Sequence, residues 1–156
     1  RQVMLVAFFD TSGIGILHHI SYQEFPYAPF ESLNQSVADR ASLGYLVLHS
    51  NKLTALPASY YNPEIPAIFL ADPLEVELYP FVAEAGLLGV VSSPDISLVV
   101  GNSSVVWFIL FKKDIEEYTQ AGFSGQSDLE WLFQNYALEF IKTWGDVLLY
   151  RFHKLE

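Results

Sequence analysis

The stretch Tyr45-Leu-Val-Leu-His-Ser-Asn-Lys-Leu-Thr-Ala-Leu-Pro-Ala-Ser-Tyr-Tyr61 decides how the chain is read. It opens with a short apolar run, residues 45–48, which predicts a buried strand. Four polar residues follow: His49, Ser50, Asn51 and Lys52. Leu53, Leu56 and Tyr60 then recur at helical spacing. A strand, a polar crossing and a helix in that order form the start of an α/β unit. In open α/β sheets, ligands sit in the crevice beyond the carboxyl ends of the strands. A binding site is therefore expected here before anywhere else.

Strand–helix alternation continues on both sides of this unit. Upstream, Pro29 suits a first helical turn, and Phe30, Leu33, Val37 and Ala41 follow on one face. Glu31 and Arg40 suit the two ends of that helix's dipole, and Gly44 is a natural stop. Downstream, Pro57 predicts a kink or restart in the second helix. Ala67-Ile-Phe-Leu-Ala71 reads as a second buried strand, and Pro80 with Phe81, Val82 and Ala85 as a further helix. Ser93-Pro94-Asp95 predicts a helix start with Ser93 as N-cap. Val105-Val-Trp-Phe-Ile-Leu-Phe111 is apolar on both faces, as a central covered strand must be. A helix is expected from Asp114 to near Gly122, and Ser127-Asp-Leu-Glu130 has the capping-box pattern before another. Residues 137–143 and 147–153 alternate around Trp144-Gly145-Asp146, which predicts an antiparallel hairpin. The expected fold is a three-layer α/β sandwich with a mainly parallel, Rossmann-like sheet and that hairpin at an edge.

Composition sets bounds on the whole. A chain of 156 residues, 51% hydrophobic, suits one domain with a sizeable core. The formal charge of −10 predicts no nucleic-acid partner, because an acidic surface repels a duplex and releases no counterions. The absence of cysteine excludes disulfides and thiolate metal sites. Numbering begins at Arg1 and the one methionine is Met4, as expected of a processed chain or a piece of a longer one. Residues 3–20 are strongly apolar, but Asp10, Thr11, Ser12, His18 and His19 interrupt them. Residues 1–24 therefore have two readings: an extra hairpin, or the lead-in from a membrane helix of a longer parent.

Few motifs carry chemistry. Asp10-Thr-Ser-Gly13 departs from the Asp-Thr-Gly loop of aspartic proteases by the inserted Ser12, and a second copy is missing. Gly122-Phe-Ser-Gly-Gln126 lacks the second glycine of a nucleophile elbow. There is no phosphate loop or dinucleotide fingerprint, so no cofactor is expected. His18 and His19 would point to opposite faces of a strand, which is poor geometry for one metal. Asn34-Gln-Ser36 and Asn102-Ser-Ser104 match the short glycosylation acceptor pattern. No catalytic residue is assigned. The candidate ligand-binding set is His49, Asn51, Lys52 and Asp72 at the ends of adjacent strands, with Tyr60 or Tyr61 as a wall. A lysine and a carboxylate together would suit a polyol or phosphate group. The plainer reading is that Ser50 or Asn51 caps the next helix and Lys52 sits in water.

The order of segments resembles the soluble C-terminal domain of bacterial multi-spanning membrane glycosyltransferases. These are the dolichyl-phosphate-mannose protein mannosyltransferase-like enzymes of the C-type superfamily. Ala38-Asp-Arg40, Tyr45-Leu-Val-Leu-His-Ser-Asn-Lys-Leu53, Tyr60-Tyr-Asn-Pro63 and Phe69-Leu-Ala-Asp-Pro73 carry the resemblance. Val106-Trp-Phe-Ile-Leu-Phe111, Leu129-Glu-Trp-Leu132 and Trp144-Gly-Asp-Val147 extend it over residues 25–153. The segment after Asp72-Pro73 is shorter than the family pattern.

The resemblance implies a non-catalytic domain on the extracytoplasmic face of a bacterial membrane. Its partner would be the membrane-embedded part of the parent, which holds the catalytic acid and the lipid-linked sugar. The domain would contribute to recognition of the acceptor or lipid-linked donor, through a sugar or lipid-phosphate ligand. A free-standing α/β module that binds a small ligand is the alternative. A small hydrolase is a third reading, disfavoured by the lack of a complete catalytic constellation.

Overall fold

The computed structural model describes residues 29–40, 45–70, 90–93, 95–122 and 125–155. In chain order the elements are α1 (Phe30–Ala38), β1 (Tyr45–His49), α2 (Lys52–Tyr61), β2 (Ala67–Leu70), β3 (Val90–Ser93) and α3 (Ile96–Val100). They continue with β4 (Val105–Phe111), α4 (Lys112–Gln120), α5 (Ser127–Asn135), β5 (Tyr136–Trp144) and β6 (Val147–Lys154). The described strands form one mixed sheet of order β3-β2-β1-β4-β6-β5. β3, β2, β1 and β4 run parallel, while β6 is antiparallel to both β4 and β5. The chain steps outward from β1 to β2 and β3, then returns to place β4 on β1's other side.

β4 is the spine of this sheet. Six of its seven residues, from Val106 through Phe111, are buried, as a strand with apolar residues on both faces requires. Alternation divides them. Val106, Phe108 and Leu110 join Leu48, Leu129, Leu132 and Phe152 in one cluster. Trp107, Ile109 and Phe111 join Leu33, Val37, Val47 and Leu149 in another. A smaller cluster sets Ala55 and Ala58 of α2 against Ala67 and Phe69 of β2.

The C-terminal hairpin forms as its alternation predicts. Gly145 takes φ of 57° in the connecting turn, a conformation that suits glycine. α4 is tied to that turn, since Lys112 donates from its backbone N–H to the Asp146 carbonyl and from Nζ to the Gly145 carbonyl, both at 2.8 Å. A register shift between Leu138 and Phe140 bends β5, and the carboxylate of Glu139 pairs with Arg151 across the hairpin. Arg151 also lies over the Trp107 ring, 5.3 Å from its centroid.

Several boundaries differ from the sequence expectation. α2 runs unbroken through Pro57, from Lys52 to Tyr61. Asp95, not Ser93, caps α3, its Oδ1 accepting from the Ser97 N–H at 2.8 Å, while Ser93 ends β3. α4 begins at Lys112, two residues before Asp114. α5 is capped by Gln126, whose Oε1 accepts from the Leu129 N–H at 2.6 Å. β3 has no counterpart in the sequence reading, because four residues between Gly89 and Pro94 are too few to show a period. The expected features of 1–24, the stop at Gly44 and the helix after Pro80 lie outside the described residues.

The spine yields a direct test. Phe108 is fully buried in the first cluster. Phe108→Ala is expected to lower unfolding free energy by ~3–5 kcal/mol, through lost burial and the cavity left behind. Urea denaturation measures it; a loss below about 1 kcal/mol would refute the central place of β4.

Candidate functional site

The crevice is expected at the carboxyl ends of β1 and β2, which do pair, but β1 also pairs with β4 on its other side, and the strand order reverses between β1 and β4. The two strands pair in parallel from Tyr45↔Val105 to His49↔Ile109. Both carboxyl ends therefore reach the same edge. The Ser50 N–H continues the ladder by donating to the Ile109 carbonyl at 2.9 Å. The chain then turns into α2, and Asn51 is its N-cap. Asn51 Oδ1 accepts from the Leu53 and Thr54 N–H groups at 2.9 and 3.3 Å. Thr54 Oγ1 in turn donates to the Asn51 carbonyl at 3.0 Å.

Asp114, in the first turn of α4, is the centre of this site. One oxygen, Oδ2, accepts from Ser50 Oγ at 2.5 Å, from Asn51 Nδ2 at 3.0 Å and from the Phe111 N–H at 3.3 Å. Ser50 and Asn51 are buried, so their donors need a partner, and a carboxylate is a strong one. A negative charge in the first turn of α4 also complements that helix's dipole. Asp114 thus fastens the start of α2 to the end of β4.

The predicted set is only partly brought together. Asn51 and Lys52 lie at the crevice, and Lys52 is the half-buried first residue of α2. His49 does not open to it. Its ring is fully buried and shares the lining of a ≈ 10 Å³ void with Asn34, Ala58 and Asn62. Neither ring nitrogen has a hydrogen-bond partner among the described residues, and burial pushes its pKa down from 6.5 to about 3. Tyr60 and Tyr61 close the far end of α2, about 13 Å along the axis from Lys52 at ~1.5 Å per residue. They cannot fold over the crevice. Asp72 lies outside the described residues.

The acid the crevice does use, Asp114, was placed by the sequence only as a helix starter. The available signal was its position, three residues beyond the most strand-like run in the chain.

Tyr60 and Tyr61 instead line an open groove of ≈ 730 Å³ with Phe30, Glu31, Gln35 and Pro57. Of the two glycosylation patterns, Asn34 is buried and donates to the Phe30 carbonyl at 2.8 Å, so it is closed to modification. Asn102 sits on an exposed turn. Among the described residues no group of three or more His, Cys, Asp or Glu is placed to hold a metal ion. No described helix is long and apolar enough to cross a membrane.

Two outcomes follow from this geometry. Asp114→Ala removes the acceptor of three donors, and hydrogen bonds to a charged group contribute ~1.5–3 kcal/mol each. A loss of at least about 2 kcal/mol is expected, and in a double-mutant cycle with Asn51→Ala the two losses should be clearly non-additive; additive losses would show that the pair is not coupled. His49 makes stability depend on pH. Between 6.5 and about 3 the unfolded chain binds a proton that the folded chain refuses. Its stability is thus complete above 6.5 and falls as pH falls, by at most ~1.4 kcal/mol per unit. His49→Leu should flatten the acid limb, sparing roughly 2 kcal/mol between pH 6.5 and 5 in urea titrations; parallel limbs would contradict this.

No protein-family model matches the chain, and no curated protein matches it in sequence. Among solved structures it is similar to the 16S rRNA methylase RmtB, at 12% identity and a TM-score of 0.38. The likeness covers 80% of this chain and 61% of that one, so the chain spans less than two thirds of that protein. It corrects one expectation. The exclusion of a nucleic-acid partner is withdrawn, beside a neighbour whose name includes 16S rRNA: a formal charge of −10 does not by itself exclude nucleic acid. Net charge is a sum over the chain, whereas such binding depends on where cations cluster. The correction removes an exclusion and stops there, because a likeness at this level assigns no ligand.

Proposed function

We propose that the chain is a non-catalytic domain of a membrane glycosyltransferase. It would lie on the extracytoplasmic face and contribute to recognition of the acceptor or the lipid-linked donor. One observation carries this reading. The polar residues in the segment that bears the resemblance, Ser50 and Asn51, are engaged with Asp114 and with the first turn of α2. They brace the crevice rather than offer reactive groups to it. A braced α/β module suits a part that shapes a surface while chemistry proceeds elsewhere. The finer fold belongs to the same proposal: three layers around a Rossmann-like sheet. Its support is the pair of apolar clusters flanking β4 and the reversal of strand order between β1 and β4.

A free-standing small-ligand-binding α/β module is the second reading, and the ≈ 730 Å³ groove at the end of α2 favours it. The gene separates the two. The first reading expects, upstream of Arg1 in the same frame, several apolar spans of ~20 residues. An initiator codon shortly before Arg1 would defeat it and leave the second. With the spans present, protease treatment of spheroplasts should cleave this domain while the membrane is intact; protection until lysis would place it on the wrong side.

A further inference from the structure

The groove at the far end of α2 is distinct from the crevice at its start. It lies between the first turn of α1 and the last turn of α2, in the size range of ~300–1,000 Å³ usual for small-molecule sites. Its floor and walls combine two chemistries. Tyr60 is 80% exposed and Tyr61 43%. Their rings meet at 85° with centroids 5.1 Å apart, so they form a corner, one face set against one edge. Phe30 and Pro57 extend this apolar surface. Glu31 and Gln35 stand beside it, one helical turn apart on α1 and therefore on the same face. Glu31 makes no hydrogen bond or ion pair among the described residues. Gln35 donates from Nε2 to Asp39 Oδ1 at 2.7 Å, which orients its amide and leaves the carbonyl oxygen as an acceptor.

We propose that this groove binds a neutral saccharide, with Tyr60 as the stacking platform and Glu31 and Gln35 as hydroxyl acceptors. A pyranose has a face of C–H groups and a rim of hydroxyls. The C–H face suits the negative face of an aromatic ring. The hydroxyls suit acceptors held at a fixed spacing beside that ring, and a side-chain carboxylate is the strongest of these. The described lining contains a carboxylate and no lysine or arginine, so a phosphorylated ligand is disfavoured. A proline-rich peptide would use the aromatic corner but leave the two acceptors idle. The proposal holds for a free-standing protein as well as for a domain of a larger one.

The test is an NMR titration of the isotopically labelled 156-residue chain. The probes are the methyl glycosides of mannose, glucose, galactose and N-acetylglucosamine, with inorganic phosphate and a proline-rich peptide as controls. At least one glycoside should shift amides in 30–35 and 57–61 saturably. Tyr60→Ala should weaken that binding at least tenfold, Tyr60→Phe should preserve it, and Glu31→Gln should weaken it severalfold. Tyr60 is exposed, so unchanged β4 amides will show that the variant is folded. The proposal is overturned if none of the four glycosides shifts these residues. It is equally overturned if Tyr60→Ala binds as well as the parent, or if phosphate or the peptide saturates the same amides and the glycosides do not.

Discussion

The parallel pairing of β1 with β4 is the constraint on which the remainder of the structure depends. It brings residues 60 positions apart into register, from Tyr45↔Val105 to His49↔Ile109. Once that pair exists, β4 has a β-neighbour on one side and the antiparallel β6 on the other. Neither of its edges is left open, and both faces carry bulky apolar side chains that water must not reach. α1 is held by the need to cover Trp107 and Ile109, and α5 by the need to cover the opposite face. The terminal hairpin supplies Leu149 to one cluster and Phe152 to the other. One strand thereby recruits elements from both ends of the described chain.

The same pairing creates a difficulty at its carboxyl end. Two parallel strands that stop together leave donors and acceptors crowded where the chain must turn away. Ser50 extends the ladder by one bond to Ile109, and then the backbone has to enter α2. The first N–H groups of a helix have no partner within it. Asn51 supplies one, but its own amide nitrogen and the Ser50 hydroxyl are then buried donors. Asp114 accepts from both. A carboxylate in this place satisfies three groups at once and also sits in the first turn of α4. This explains why a polar cluster that reads as a binding site in sequence is largely internal structure.

The sequence displayed the strands that are apolar on both faces and the terminal hairpin. Those features are local: a run, an alternation, a turn. Its errors arose where a long-range contact chooses among local options. Ser93 and Asp95 are both good caps, and only the pairing of β3 with β2 commits Ser93 to a strand. Pro57 weakens a helix locally, yet packing of Ala55 and Ala58 on β2 keeps α2 continuous. His49 looks like one of four polar neighbours. Strand alternation, however, turns it to the side where Val47, Ala58 and Asn62 lie, away from the Asp114 oxygen. The partner of Ser50 is 64 residues distant, and no spacing rule identifies it.

α2 distributes its side chains in an unusual way, and this bears on how it is used. A helix on a sheet normally buries its large apolar residues and exposes its polar ones. Here the buried positions hold Thr54, Ala55 and Ala58, which are small. Leu53, Tyr60 and Tyr61, which are large, face outward. Small residues let the helix axis come close to β2, so the inner face is satisfied with little bulk. The outer aromatic residues are then unnecessary for packing against the sheet. Exposing them costs hydrophobic free energy that a polar residue would not cost. Retaining two tyrosines at one helix end, with Phe30 of α1 drawn up beside them, is the arrangement expected of a surface selected for contact with something other than water.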